Sequence, residues 1–440
     1  MNFKVGISAI CGVMLCALLA PLVCRAQQAP AMTKDQQEMV AEILREARDE
    51  VKKNYYDATL HGLDWDALYK QYTGSLAKAR NLGEGYRVVA AYLEELKDSH
   101  TYFMPPWSPI HLDYGFRYAL VGDTCYIIQL RPGSDAAAKL RIGDQVVKMS
   151  GFTVNRGDFH DIQYYFNLLA PQTAVRFELL SPAGEAREEF VNTKVVSRRL
   201  TLDLSNAADL WEFEHMGDEE ALAARSRIVE NGDVAIWKMK VFNLNSDQID
   251  RVFGVVRKRK TLILDLRGNP GGAVDSLKWM VAGLFDHDVK IGDRAGRKES
   301  KPVIAKHGGR PFEGRLIVLV DAASASCSEL LARIVQIEHR GTVIGDKTEA
   351  AVMEAKHYSE TQGADAKIYY GFSVTDANLI MSDGQNLEKT GVTPDELLLP
   401  TAADLAAGRD PVLAHAAALA GIKLDPEAAG KLFPYEWQPL

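Results

Sequence analysis

Leu262-Ile263-Leu264-Asp265-Leu266-Arg267-Gly268-Asn269-Pro270-Gly271-Gly272 runs from an apolar stretch into a glycine turn. Ile317-Val318-Leu319-Val320-Asp321-Ala322-Ala323-Ser324-Ala325-Ser326-Cys327-Ser328-Glu329 does the same with small residues. A short continuous apolar run, then turn residues, then a helical pattern is how a buried parallel strand feeding a helix reads. In the first turn the glycines permit positive φ and let backbone N–H groups point into one cavity, which suits an anion or oxyanion; it suits a plain tight turn equally. No Gly-Lys-Ser/Thr follows, so the turn is not a Walker loop. In the second, a serine at a helix start has the positive end of the helix dipole beside any oxyanion formed there. Read alone, the same serine is an N-cap with Glu329 near the capping-box position.

Outward from these turns, β-runs alternate with helices from about Asp233. Val234–Val241, Thr261–Leu266, Arg315–Val320 and Thr342–Ile344 read as strands, and Asp247–Val256, Val274–Phe285, Ser328–Gln336 and Pro411–Ala420 as helices. That order predicts an α/β layer with largely parallel strands, and residues beyond Leu424 look peripheral. Between about Ser108 and Val195 short β-runs dominate, interrupted by helical stretches near Asp135–Leu140 and Asp158–Leu169. Ala136-Ala137-Ala138, Gly143-Asp144, Val146-Val147 and Gly151 give this module the pattern of a PDZ domain, which it resembles. Thr33 to Leu96 is helical by periodicity, with a last helix over Tyr86–Leu96, and places His100 at a helix exit before Pro105-Pro106.

Composition bounds the function. The 440 residues carry 51 Lys and Arg against 59 Asp and Glu, a net charge of −8, which argues against nucleic acid as a partner. Lys4, the apolar run Val5–Ala20, Pro21 and Cys24-Arg25-Ala26 read as a secretory signal cleaved after Ala26, too short and interrupted for a membrane span. An exported protein, periplasmic or secreted, is the expectation. Cys125 and Cys327 are then the mature chain's cysteines, too few for a disulfide framework. No paired-Cys or His-Glu-x-x-His spacing appears, so no metal and no cofactor are expected.

The two turns, in this order and after a PDZ-like module and an export signal, resemble the serine peptidases of family S41, the tail-specific (C-terminal processing) and tricorn-core-like enzymes. Asn386-Leu387-Glu388-Lys389-Thr390-Gly391-Val392-Thr393-Pro394-Asp395 resembles the family's late Leu-Glu-x-x-Gly-Val-x-Pro-Asp segment. The resemblance implies an α/β catalytic domain of the ClpP/crotonase type, an N-terminal helical domain and a PDZ-like β-rich domain. The boundaries are 1–26 for the signal peptide, 33–106 for the helical domain, 108–195 for the PDZ-like domain, 196–422 for the catalytic domain and 423–440 for a C-terminal tail. It implies Ser326 as nucleophile, with Ser324 and Ser328 structural, and an oxyanion hole from the amides of Cys327 and of Gly271 or Gly272. Tyr114-Gly115-Phe116 is the candidate loop for binding a substrate carboxylate.

Tail-specific members use a lysine in a segment that matches Gly345-Asp346-Lys347-Thr348-Glu349-Ala350-Ala351 here, and Ala351 stands at the lysine position. A methyl group takes no proton, which leaves Lys347, Lys356, His307 and His357 only as substitutes. The tricorn-like branch instead uses a histidine from the N-terminal region and a late glutamate. Asp98-Ser99-His100-Thr101 resembles its Asp-x-His-Thr segment, so His100 is the expected general base and Glu388 its orienting carboxylate. The implied activity is hydrolysis of unfolded or extended polypeptides through an acyl-enzyme on Ser326. A non-catalytic peptide- or ligand-binding protein on a degenerate scaffold is the alternative.

Overall fold

The computed structural model describes residues 31–106, 110–197, 226–362 and 368–437; the signal read over residues 1–26 lies outside them. Helices α1 (Lys34–Asn54), α2 (Trp65–Leu76) and α3 (Leu82–Glu94) open the described chain. Thr33 and Gln36 form a capping box on α1, Asp64 caps α2 through the Ala67 amide, and Asn81 caps α3 through the Glu84 amide. Val40, Ile43, Leu44, Ala47 and Val51 make one buried stripe of α1, in the same core as Val89, Ala90 and Leu93 of α3. The chain then passes Lys97, at φ 56°, and Asp98-Ser99-His100 into β1 (Tyr102–Met104).

The β-rich module comprises β2 (Ile110–Asp113), β3 (Phe116–Val121), β4 (Thr124–Leu130), α4 (Asp135–Lys139), β5 (Gln145–Met149) and β6 (Phe152–Thr153). It continues with α5 (Phe159–Tyr164), β7 (Ala174–Leu180), β8 (Ala186–Asn192) and β9 (Lys194–Ser197). Its sheet runs β3-β4-β5-β7-β8, with β6 on β5, while β2 pairs antiparallel with β9 where the chain enters and leaves. The helix expected over Asp158–Leu169 divides: α5 gives way to a π-helical turn, Tyr165–Leu169, that buries Phe166 and Leu169.

The remainder contains β10 (Ser226–Asn231), β11 (Val234–Met239), α6 (Ser246–Val256), β12 (Thr261–Asp265), α7 (Val274–Leu284), β13 (Val289–Gly296) and β14 (Ser300–Ala305). After these come β15 (Arg315–Val320), α8 (Cys327–Ile337), β16 (Gly341–Gly345), β17 (Met353–Gln362), β18 (Ile368–Met381), β19 (Glu396–Leu397), α9 (Ala402–Ala406), α10 (Pro411–Leu419) and α11 (Pro426–Gly430). One sheet runs β10-β11-β12-β15-β16-β19, parallel from β11 onward. Strand alternation divides its apolar residues between two cores. Leu262, Leu264 and Val318 meet α6, α7 and α8 through Phe253, Leu277 and Leu331. Ile263, Ile317 and Leu319 meet α10 through Leu413 and Ala416. Being buried on both faces, β12 and β15 carry unbroken apolar runs, and the two decisive turns lie together at their C-terminal ends.

A second sheet, β1-β18-β13-β14 with β17 also on β18, departs from the expected layout. A ClpP/crotonase-type catalytic domain between residues 196 and 422 is not what is built. β1, contributed by residues 102–104, pairs with β18 at Tyr102↔Ser373, Phe103↔Phe372 and Met104↔Gly371, so the catalytic part is completed by the helical part. β14 and β17 show no strand run in sequence because they are only partly buried and interleave charged with apolar residues, and in the largely buried β18 the polar Ser373, Thr375, Asp376 and Asn378 interrupt the run. The segment beyond 423, expected to be peripheral, buries Ala429 in the core of Ile236 and Ile317, and stacks Tyr435 and Trp437 on Arg117 and Arg131 of the β-rich module.

Phe103 is fully buried at this junction, its ring 5.8 Å from that of Phe372 and 5.7 Å from that of Tyr86. Phe103→Ala is expected to lower stability by about 3–5 kcal/mol through the cavity it leaves, read as a fall in the thermal unfolding midpoint.

Candidate active site

Buried polar groups hold the two turns together. Asn269 is fully buried; its Oδ1 accepts from the Gly271 amide at 2.9 Å and its Nδ2 donates to the Met239 carbonyl at 3.0 Å. Its backbone carbonyl accepts from the Ala325 amide at 3.0 Å and from the Ser328 hydroxyl at 2.9 Å. The Ser324 hydroxyl, also fully buried, donates to the Leu266 carbonyl at 2.9 Å. Ser324 and Ser328 thus clamp one turn onto the other, with Ser326 between them. At the foot of the first turn, Arg267 bridges the carboxylates of Asp265 (2.8 Å) and Asp410 (2.7 Å). Lys238 also reaches Asp265, and the two cations hold that carboxyl far below the usual carboxylate range despite its burial.

Ser326 adopts φ 53° and ψ −116°, a conformation costly for a residue with a Cβ, just before the first turn of α8. Its amide points at the Ala351 carbonyl (2.9 Å) and at Glu329 Oε2 (3.0 Å). Glu329 is fully buried and also accepts from the Thr348 hydroxyl at 2.6 Å and the amides of Ala350 and Ala351 at 2.9 and 3.0 Å. Burial pushes this carboxyl up to about 7 while those donors draw it down. Glu329 therefore fastens the 348–351 segment to the backbone of Ser326, and the capping reading of this residue is fulfilled by a carboxylate on an amide.

Gly271 lies at φ 95°, and a Cβ there would meet Ser326 Cβ at 2.6 Å and the Cys327 nitrogen at 3.0 Å. Of the three expected oxyanion donors, the Gly271 amide is occupied by Asn269. The amides of Gly272 and Cys327 have no acceptor among the described residues. Cys327 is buried, donates its thiol to the Gly272 carbonyl at 3.3 Å and is pushed up to about 12 by burial, so no thiolate forms there near neutral pH.

Ser326, Cys327, Gly272 and His100 line one cleft of about 480 Å³. The His100 turn is fixed by Asp98, whose Oδ1 accepts from the amides of His100 (2.9 Å) and Thr101 (2.7 Å) and from the Thr375 hydroxyl (2.7 Å). Glu388 meets the imidazole through an intermediary. The Ser99 hydroxyl lies 2.7 Å from His100 Nδ1 and donates to Glu388 Oε2 at 2.8 Å, while the Ser99 amide donates to Oε1 at 2.9 Å. The Val352 amide holds Glu388 from the other side at 2.9 Å. Burial raises the Glu388 carboxyl above its ordinary range and lowers the His100 imidazole below its own, the latter opposed by Asp98. Ser99 is the residue that sequence reading left without a part; its one signal is a hydroxyl adjoining the histidine.

The alternative bases sit elsewhere. Lys347 is exposed and outside the cleft; Lys356 is exposed and paired with Asp376 at 2.7 Å, which raises its pKa. His307 is an exposed partner of Asp288 at 3.0 Å, whereas His357 lines the cleft. Tyr114, Gly115 and Phe116 are not brought to Ser326. The Tyr114 hydroxyl donates to the Phe166 carbonyl, the Gly115 amide leans on Asp113, and Phe116 is buried in the β-rich core.

Residues 232–398 match Peptidase family S41, and residues 36–91 match the Tricorn protease C1 domain. The chain is 25% identical over 366 residues to the carboxyl-terminal-processing protease of Synechocystis sp., covering 79% of this chain and 78% of that one. It is 26% identical over 402 residues to the enzyme of the same name from Picosynechococcus sp., covering 87% and 89%. Among solved structures, mature CPAF superposes with a TM-score of 0.63 at 14% identity over 84% of this chain and 94% of that one. The photosystem II D1 C-terminal processing protease gives 0.50 at 20% identity over 82% and 93%. These matches run through the helical, β-rich and catalytic parts together, so the fold is that of mature CPAF and the D1 C-terminal processing protease, which replaces the ClpP/crotonase-type expectation. Fold and site define a serine-type peptidase. The match to peptidase family S41 is carried by residues 232–398, the part that holds both turns.

Gly271→Ala places a methyl 2.6 Å from Ser326 Cβ, and is expected to lower kcat/KM by about 10²-fold or more with secondary structure intact by circular dichroism, since small displacements of reacting groups cost that much.

Proposed function

We propose that this protein is an exported endopeptidase that cuts unfolded or extended polypeptides by a Ser326 acyl-enzyme, with His100 rather than a lysine as base. The observation that carries the reading is the hydrogen-bonded series Glu388, Ser99, His100, which ends on an imidazole in the cleft shared with Ser326. His100 Nε2 takes the Ser326 proton as Oγ attacks the scissile carbonyl. Nδ1–H donates to Ser99 Oγ, whose own proton lies toward Glu388, so one tautomer is held and the imidazolium is stabilised through the hydroxyl. The Gly272 and Cys327 amides receive the oxyanion, helped by the N-terminus of α8. His100 then gives the proton to the leaving amine, and water repeats the sequence on the ester. Aliphatic side chains, among them Leu277, Ile291, Leu330 and Leu379, line the cleft beside these amides and favour an apolar residue on the acyl side of the cut.

Export rests on the signal pattern of residues 1–26. No helix among the described residues is long and apolar enough to cross a membrane.

Ser326→Ala and His100→Ala should each abolish cleavage of an unstructured protein substrate, and Ser326→Ala should abolish labelling by a fluorophosphonate. Lys347→Ala and Lys356→Ala should retain activity; loss in either, with His100→Ala active, moves the base to lysine. Ser99→Ala should reduce kcat/KM by about 10²-fold or more, because Glu388 then no longer reaches the ring. The base must be neutral to act, and burial favours the neutral ring. The acid limb of kcat/KM is therefore expected below the ordinary histidine value of about 6.5, activity being lost only as pH falls through that lowered value.

A further inference from the structure

The mechanism uses His100, Ser326, two amides and the aliphatic wall, and leaves one end of the same cleft without a part. Tyr102, Ser373 and His357 meet there. Strand register makes the juxtaposition: Ser373 on β18 is directly opposite Tyr102 on β1 and directly opposite His357 on β17. The Tyr102 and His357 rings approach edge to face with centroids 6.4 Å apart. Ser373 is fully buried, and its hydroxyl completes no hydrogen bond with good geometry although the Tyr102 phenol lies beside it.

Neither the Tyr102 hydroxyl nor the His357 ring meets a carboxylate or carbonyl among the described residues. The cleft's own acid nearby, Glu354, is engaged by Arg294 at 2.9 Å. Three groups able to donate thus converge with no carboxylate or carbonyl between them. Tyr102 stands two residues beyond His100, the group that protonates the leaving amine, so this end of the cleft faces the residues after the scissile bond.

We infer that Tyr102 and His357, backed by Ser373, form a leaving-side subsite for a carboxylate: an Asp or Glu side chain just after the cut, or the free C-terminus of a substrate cut close to its end. The phenol and the imidazole N–H donate to the carboxylate oxygens, and the Ser373 hydroxyl orients the phenol from beneath. The inference rests on the peptidase reading above, since that reading defines the leaving side.

The test uses the full chain and peptides of one sequence in three pairs: free C-terminal acid against C-terminal amide, and Asp against Asn at the first and at the second position after the cut. Binding is measured with the Ser326→Ala protein and kcat/KM with the wild type. The acid member of at least one pair is expected to be favoured by about tenfold, the size of one to two charge-assisted hydrogen bonds net of solvation. Tyr102→Phe and His357→Gln should each bring that ratio toward one, and Ser373→Ala should reduce it partly. A preference confined to the terminal acid identifies a C-terminus as the ligand, and one confined to Asp identifies a side chain. Cleavage and binding with no acid preference, or a preference that survives both Tyr102→Phe and His357→Gln, overturns the subsite. A wild type that cuts none of the peptides while Ser326→Ala prefers the acid forms counts against the peptidase reading and in favour of the subsite.

Discussion

The site depends on one buried carbonyl. Asn269 offers its backbone oxygen to both the Ala325 amide and the Ser328 hydroxyl, and through that shared acceptor two strand ends separated by more than fifty residues of chain become a single rigid corner. Burial makes the arrangement demanding, because a polar group removed from water and left unpaired costs about 1–3 kcal/mol, so each partner must be present and correctly placed. Everything reactive hangs from this corner. The strained backbone of Ser326, the Gly271 contact that admits no side chain, and the two outward amides keep their geometry because Asn269, Ser324 and Ser328 allow no other.

Glu329 extends the same logic to a third segment. Its carboxylate gathers four donors from Ser326 and residues 348–351, so that loop is fastened to the backbone of Ser326. That loop also meets the β-rich module: Arg156 reaches Asp346 at 2.8 Å, and His160 meets Glu349 at 3.1 Å. Ala351 itself contributes through its backbone alone, its amide to Glu329 and its carbonyl to the Ser326 amide.

How legible this was from sequence follows from burial. β12 and β15 are covered on both faces, so they appear as unbroken apolar runs, and the turns after them announce themselves by glycine and by small residues. β17, with Lys356, His357 and Ser359 exposed, carries no such run, and in β18 buried polar residues such as Ser373 and Thr375 break it, so the second sheet stays hidden. The segments holding Ser326, His100 and Glu388 were picked out by pattern and by resemblance. Their connection was not, because a hydroxyl such as Ser99 is among the least informative residues until coordinates show what stands on either side of it. The Asn269 clamp was equally silent: an asparagine in a glycine turn reads as turn chemistry whether or not its carbonyl is shared.

The pairing of β1 with β18 joins residues about 270 positions apart, and Glu388 lies later still. A chain made from its N-terminus thus presents His100 early, and the strand and carboxylate that hold its turn come near the end. Until then the His100 turn has neither β18 beside it nor Glu388 behind Ser99. The geometry of this turn is therefore set only when nearly the whole chain is present.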